Sequence, residues 1–165
     1  MSKEIAIVFG ASGFLGSHVA EALSSAGYQV RLFDRAPSDF KRNDQEMIVG
    51  DIMNLEDVTK AIQGASIVYN FAAIADIDEA NEKPLVTAEI NILGNMNVLE
   101  ASRLAGVSRF IFASSVYVYS ESGSFYRASK QAAERFIETY QDRYGLDYTI
   151  LRYGSLYGRR TDDRN

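Results

Sequence analysis

Apolar, β-branched runs alternate along the whole chain with stretches whose apolar residues return every three or four positions. The runs at 5–10, 29–34, 46–51, 67–72, 109–115 and 148–153 are apolar with little alternation. That is the pattern of strands covered on both faces, as in a parallel sheet lying between helices. Between the first two runs, Phe14, Leu15, His18, Val19, Ala22 and Leu23 fall at helical spacing, and Gly27 closes the stretch. A short helix is predicted over 55–64, and a further one over 126–144, ended by Gly145. A long helix is predicted over 84–106, with Val86, Ile90, Leu93, Val98 and Leu99 on its buried side. Six strands with right-handed helical crossovers predict an α/β fold, a doubly wound parallel sheet of order 3-2-1-4-5-6 in one domain spanning 1–165.

Composition narrows what such a domain does. The chain has 165 residues, 47% hydrophobic and 24% charged, with a net charge of −5. Lys and Arg are scattered along it, so neither a nucleic acid nor an anionic membrane surface is an expected partner. No apolar run is long enough to cross a bilayer. The first strand begins almost at once, which leaves no room for a secretory leader, and a cytoplasmic location is expected. With no cysteine and one histidine, disulfides, thiolate chemistry and Cys/His metal sites are excluded. His18 is expected at the surface, and Tyr140, Tyr144, Tyr148 and Tyr157 are expected to pack in the core. Asp76, Asp78 and Glu79 are expected in a solvated loop, without a metal.

Gly10-Ala11-Ser12-Gly13-Phe14-Leu15-Gly16 follows the first strand and leads straight into a helix. At a glycine frequency of about 7%, three glycines at this spacing arise by chance in roughly one such chain in twenty, so position is what gives the pattern meaning. Gly10 and Gly13 allow a tight turn and close backbone approach to a pyrophosphate, which the helix N-terminus then meets. Gly16 lets the helix pack near the sheet. Asp34 ends the second strand, 18 residues past Gly16. A carboxylate there accepts hydrogen bonds from an adenosine ribose and repels a 2′-phosphate, so NAD is expected in preference to NADP. Arg35 beside it softens that discrimination. Asp51 and Ile52 follow the third strand, placed for an adenine amino group and ring. Phe71, Ala72 and Ala73 follow the fourth, leaving room for the dinucleotide in a Rossmann-type cleft.

Ser115 closes the fifth strand, while Tyr126 and Lys130 stand at i and i+4 on the next helix, on one face. A phenol is a poor base at neutral pH. A nearby ammonium lowers its pKa, and a serine hydroxyl can hold a substrate oxygen beside it. Together they suit removal of a carbinol proton as hydride leaves for a nicotinamide.

Gly10–Gly16, Asp34, Asp51-Ile52, Asn70–Ala73, Asn91-Ile92-Leu93-Gly94, Ser114-Ser115, Val118-Tyr119, Tyr126-Arg127-Ala128-Ser129-Lys130 and Leu151–Gly158 follow in order. The set resembles the extended short-chain dehydrogenase/reductases, in particular the NAD-dependent epimerase/dehydratase family. The resemblance implies Ser115, Tyr126 and Lys130 as the catalytic trio. It also implies that Phe14, Leu15, Asn91 and the turn from Tyr153 to Leu156 belong to the cofactor and substrate rim. Family members mostly act on nucleotide-activated sugars, through a transient ketone made with tightly held NAD. The resemblance further implies a homodimer through the helices at 84–106 and 126–144. Two features depart from the family. Only ten residues separate Ser115 from Tyr126, which predicts a more open pocket, and the chain stops at Asn165 without the family's C-terminal substrate domain. A non-catalytic NAD-binding module and a simple alcohol dehydrogenase or ketone reductase are the alternatives.

Overall fold

The computed structural model describes residues 3–161. The extreme positions of the 1–165 domain, residues 1–2 and 162–165, lie outside the described residues. Six parallel strands form one sheet: β1 (Ile5–Phe9), β2 (Gln29–Asp34), β3 (Gln45–Val49), β4 (Ile67–Asn70), β5 (Arg109–Ser115) and β6 (Tyr148–Tyr153). Their spatial order is β3-β2-β1-β4-β5-β6, the doubly wound order expected from the sequence. β1 is central, pairing Ile5 with Gln29 of β2 and Ala6 with Ile67 of β4. Its residues show why the strands read as unbroken apolar runs. Ala6 and Val8 face one layer, with Val30, Leu32, Ala20 and Leu23. Ile7 and Phe9 face the other, with Phe33, Val68, Phe110 and Phe112.

Three strands stop short of their predicted ends. β1 stops at Phe9 because Gly10 turns to φ +74°, and the Gly10 and Ala11 nitrogens both donate to the Phe33 carbonyl. β3 stops at Val49. There Asp51 turns the chain by accepting from the Met53 nitrogen at 2.9 Å, and the Asn54 side chain caps α2 (Leu55–Ile62). β4 stops at Asn70, whose side chain accepts from the Ala72 nitrogen.

The helices differ more. In α1 (Phe14–Ser25) the buried residues are Gly16, Ser17, Ala20 and Leu23, small enough for close approach to the sheet. Phe14, Leu15 and His18 are only half-buried, and Ala22 is exposed. A helix at α3 (Ile77–Glu82) stands where a loop was expected, begun by Asp76 capping the Glu79 nitrogen at 2.7 Å. The predicted 84–106 helix is α4 (Pro84–Ala88), a π-helical segment (Glu89–Gly94) and α5 (Asn95–Leu104). The wider π turn shifts the faces, so Val86 and Leu93 are exposed, while Thr87, Asn91, Gly94 and Asn95 are buried beside Val98 and Leu99. A 3₁₀ turn (Val116–Tyr119) joins β5 to α6 (Ser124–Tyr144). No helix among the described residues is long and apolar enough to cross a membrane.

Two expectations about aromatic residues fail. Tyr157 is 94% exposed and Tyr144 lies at the surface, its ring against Tyr140 and beneath the Arg103 guanidinium. His18 is no bystander. Its ring meets Phe14 edge-on at 5.4 Å and its Nε2 pairs with the Arg159 carbonyl at 2.7 Å. Arg160 meanwhile reaches Glu21 at 2.5 Å, so the segment after β6 is fastened back onto α1.

Candidate functional site

β1 and β4 stay paired to their carboxyl ends at Phe9 and Asn70, and a cleft lies beyond those ends, where the strand order reverses. Two cavities share its floor at Gly10, Gly13, Phe71 and Ala73. The first, about 310 Å³, is also lined by Asp34, Arg35, Asp51, Ile52 and Ala72. The second, about 460 Å³, is lined by Phe14, Leu15, Gly16, Ser115, Tyr126, Lys130 and Tyr153. Backbone packing explains two of the glycines. A Cβ on Gly10 would stand 2.7 Å from the Ala72 nitrogen, and one on Gly16 would stand 2.1 Å from the Gly10 carbonyl oxygen. Any side chain at either place would force the turn apart. Asp34 holds the turn from the other side, one carboxylate oxygen accepting from the Ser12 nitrogen at 2.9 Å.

Asn91 is the one predicted rim residue lining neither cavity. It is buried; its Oδ1 accepts from the Ile74 nitrogen at 2.8 Å, and its Nδ2 donates to the Ile74 carbonyl and to Ser129 Oγ. It ties the loop after β4 to α6 and so braces the cleft wall from behind. The spacing of residues did not point to Val86, Glu89 and Ile90 on the first cavity, nor to Ile77 and Tyr117 on the second. α3, the 84–94 stretch and the 3₁₀ turn bring them there, and the irregular turns among these carry no periodic signal.

The catalytic candidates meet at the second cavity. Ser115 accepts from the Tyr117 nitrogen at 3.2 Å, fixing the start of the 3₁₀ turn. Burial holds the Tyr126 phenol above its ordinary pKa; a hydrogen bond with Ser115 opposes that shift. Lys130 is 4% exposed and donates to the Ala113 carbonyl at 2.8 Å, with its ammonium 5.7 Å from the centre of the Tyr126 ring. Burial lowers Lys130 to about 8, partly offset by Glu134. The expected lowering of the phenol by Lys130 is therefore not realised here, since desolvation dominates both groups. Beneath the trio lies a network that spacing did not reveal. Buried Glu134 accepts from Ser114 Oγ at 2.5 Å and from Arg152 Nε and Nη2 at 2.9 and 2.8 Å. Arg152 Nη1 also donates to the Tyr119 hydroxyl.

Residues 6–165 match the family model for the NAD dependent epimerase/dehydratase family. The UDP-glucose 4-epimerase of Thermus thermophilus, solved as a complex with NAD, is 32% identical with a TM-score of 0.88, over 96% of this chain and 57% of that one. The UDP-glucose 4-epimerase of Thermotoga maritima, solved with UDP-glucose, is 29% identical with a TM-score of 0.90, over 96% of this chain and 58% of that one. The 3-beta-hydroxysteroid dehydrogenase of Mycolicibacterium neoaurum is 29% identical over 93% of this chain and 48% of its own length. The chain thus spans about half the length of the curated relatives it matches, 58%, 48% and 54% for three of them.

Proposed function

This chain belongs to the NAD-dependent epimerase/dehydratase family, and on that premise we propose that it is the cofactor-binding half of an NAD-dependent enzyme of the short-chain dehydrogenase/reductase type. The substrate is a nucleotide-activated sugar, which the whole protein epimerises or dehydrates. A separate substrate-binding domain completes that protein. The observation that carries this reading is the gathering of Ser115, Tyr126 and Lys130 on one cavity continuous with the glycine-floored cleft.

The residues present fit a dinucleotide. At Gly13, which is exposed on the cleft floor, bare backbone lies open to a pyrophosphate, and α1 begins beside it. Asp34 suits the adenosine ribose and disfavours a 2′-phosphate, with Arg35 alongside. Asp51 and Ile52 would hold the adenine, Phe71, Ala72 and Ala73 the middle, and Phe14, Leu15 and Tyr153 the catalytic end. Bound there, NAD would supply reversible hydride transfer at a ring carbinol of the sugar. Ser115 holds the substrate oxygen. Tyr126 accepts the hydroxyl proton as phenolate and later gives it back. Lys130, which does not lower the phenol in the structure as it stands, would act with the positive nicotinamide of bound NAD to favour the phenolate.

In the full-length protein, Tyr126→Phe is expected to slow turnover of UDP-glucose or UDP-galactose by roughly 10²- to 10⁴-fold, the usual worth of a general base. In this chain, calorimetry is expected to show NAD binding that weakens about tenfold or more in Asp34→Ala, the loss of a hydrogen bond to a charged group. Unchanged turnover or unchanged NAD affinity would overturn the respective assignment. A second reading, a dehydrogenase releasing NADH in each cycle, is favoured by the apolar outer lining at Ile77, Tyr117 and Leu156. Net accumulation of NADH with an alcohol substrate would select it, because an epimerase regenerates NAD within each turnover.

A further inference from the structure

We infer that the pair formed by buried Glu134 and exposed Arg152 is a positioning device for this site, one that fastens the ends of β5 and β6 to the catalytic helix and balances the charge felt by Lys130. Glu134 lies one turn beyond Lys130 on α6, and the two are equally buried at 4% exposure. Its carboxylate is held from two other elements. Ser114, the neighbour of Ser115 on β5, donates at 2.5 Å, and Arg152 of β6, the neighbour of Tyr153, grips both oxygens at 2.8 and 2.9 Å. Arg152 extends the network to Tyr119 at the end of the 3₁₀ turn, lying 4.8 Å above its ring. Each structural element that brings a side chain to the catalytic cavity between residues 113 and 153 is therefore tied to one carboxylate.

The Arg152 side chain is 35% exposed and so partly screened by water, whereas the Glu134 carboxylate that it grips is buried, where its charge acts strongly on its surroundings. Of the titratable groups around Lys130, Glu134 from α6 is the anion that acts on it, while Tyr126 of α6, Tyr117 of the 3₁₀ turn and Tyr153 of β6 share its cavity; Arg152 of β6 reaches it only through Glu134. Of these, Glu134 is the anion and Arg152 the cation that offsets it. Burial lowers Lys130, and Glu134 opposes this. The functional meaning of the device rests on the proposed role of Lys130, whereas its physical action on Lys130 does not.

Two variants with opposite electrostatic signs separate this action from simple cross-linking. Glu134→Gln keeps a hydrogen-bonding side chain of the same shape but removes the anion and leaves Arg152 uncompensated. Arg152→Gln leaves the anion uncompensated. With lysine labelled with ¹³C at Cε, the five lysines of the chain can be titrated by NMR, the Lys130 signal being the one lost in Lys130→Met. Lys130 is expected to titrate lower in Glu134→Gln, higher in Arg152→Gln, and near its parental position in the double variant. Shifts of the same sign in both single variants, or none in either while the fold is retained, would overturn the inference. A pair that served only to glue elements together would lower the melting temperature of all three variants with no such sign pattern. The titration uses no cofactor, so NAD affinity, measured separately, reports on the functional reading alone.

Discussion

Burying an ammonium opposes folding, and Lys130 is buried with a backbone carbonyl, that of Ala113, as its hydrogen-bond acceptor. Its pKa falls from an ordinary 10.5 to about 8. Between those values the unfolded chain binds more protons than the folded one, so stability rises with pH across that window. Below it, the full cost of burying the charge is felt. Lys130→Met is therefore expected to melt at a higher temperature than the parent at neutral pH. It should also lose most of the rise in stability between about pH 8 and 10.5. Calorimetry over that range checks both, and a variant that keeps the parental pH profile would show that Lys130 is not the group responsible. Ser115 and Tyr126 lie beside this costly lysine on the same cavity, an arrangement that supports the proposed catalytic role. That much was legible in the sequence, because the serine, the tyrosine and the lysine fall at strand-end and helix-face positions. Glu134 and Arg152 were not legible, since they lie 18 residues apart on two different elements and either alone reads as a solvated side chain.

At the scale of elements, the strands were legible and the helix faces were not. β1 is apolar throughout because both of its faces meet a core layer, and a pattern with no alternation can signal just that. α1 misled because Phe14 and Leu15 sit at helical spacing yet line the cleft instead of the core. α3 carried a signal that was read as loop polarity, an Asp76 three residues before Glu79, which is a capping arrangement. In the 84–104 stretch the existence of a helix was clear, but the π turn moved its buried face. Asn91 sits in that turn and satisfies both backbone groups of Ile74. Asn91→Ala would leave those groups buried without partners. A loss on the order of 3 kcal/mol is expected, from about 1–3 kcal/mol per unsatisfied group. Urea unfolding measures it; a change within experimental error would mean that water replaces the amide.

For the molecule as a whole, apolar side chains are exposed on the two longest helical stretches: Leu85, Leu93 and Leu104 on one, Tyr144 at the end of the other. Surfaces of this kind are commonly covered in an assembly. A homodimer through these helices is expected by sedimentation equilibrium, at twice the mass of one chain. Leu93→Glu should return it to single chains without loss of NAD binding. A parent that stays monomeric at high concentration would refute the dimer. The same stretch has a consequence of another kind. A π turn holds one residue more than the α turn it replaces, so in the history of a chain it counts as a single-letter insertion that the helix absorbed without breaking. Every residue beyond Gly94 is thereby rotated by roughly 100° relative to an uninterrupted helix. Excising Ile92 would restore a uniform pitch and leave Val98 and Leu99 on the core, while undoing the wide turn that holds Asn91. The extra residue is thus what lets one continuous helix turn Asn91 to the cleft wall and Leu99 to the core.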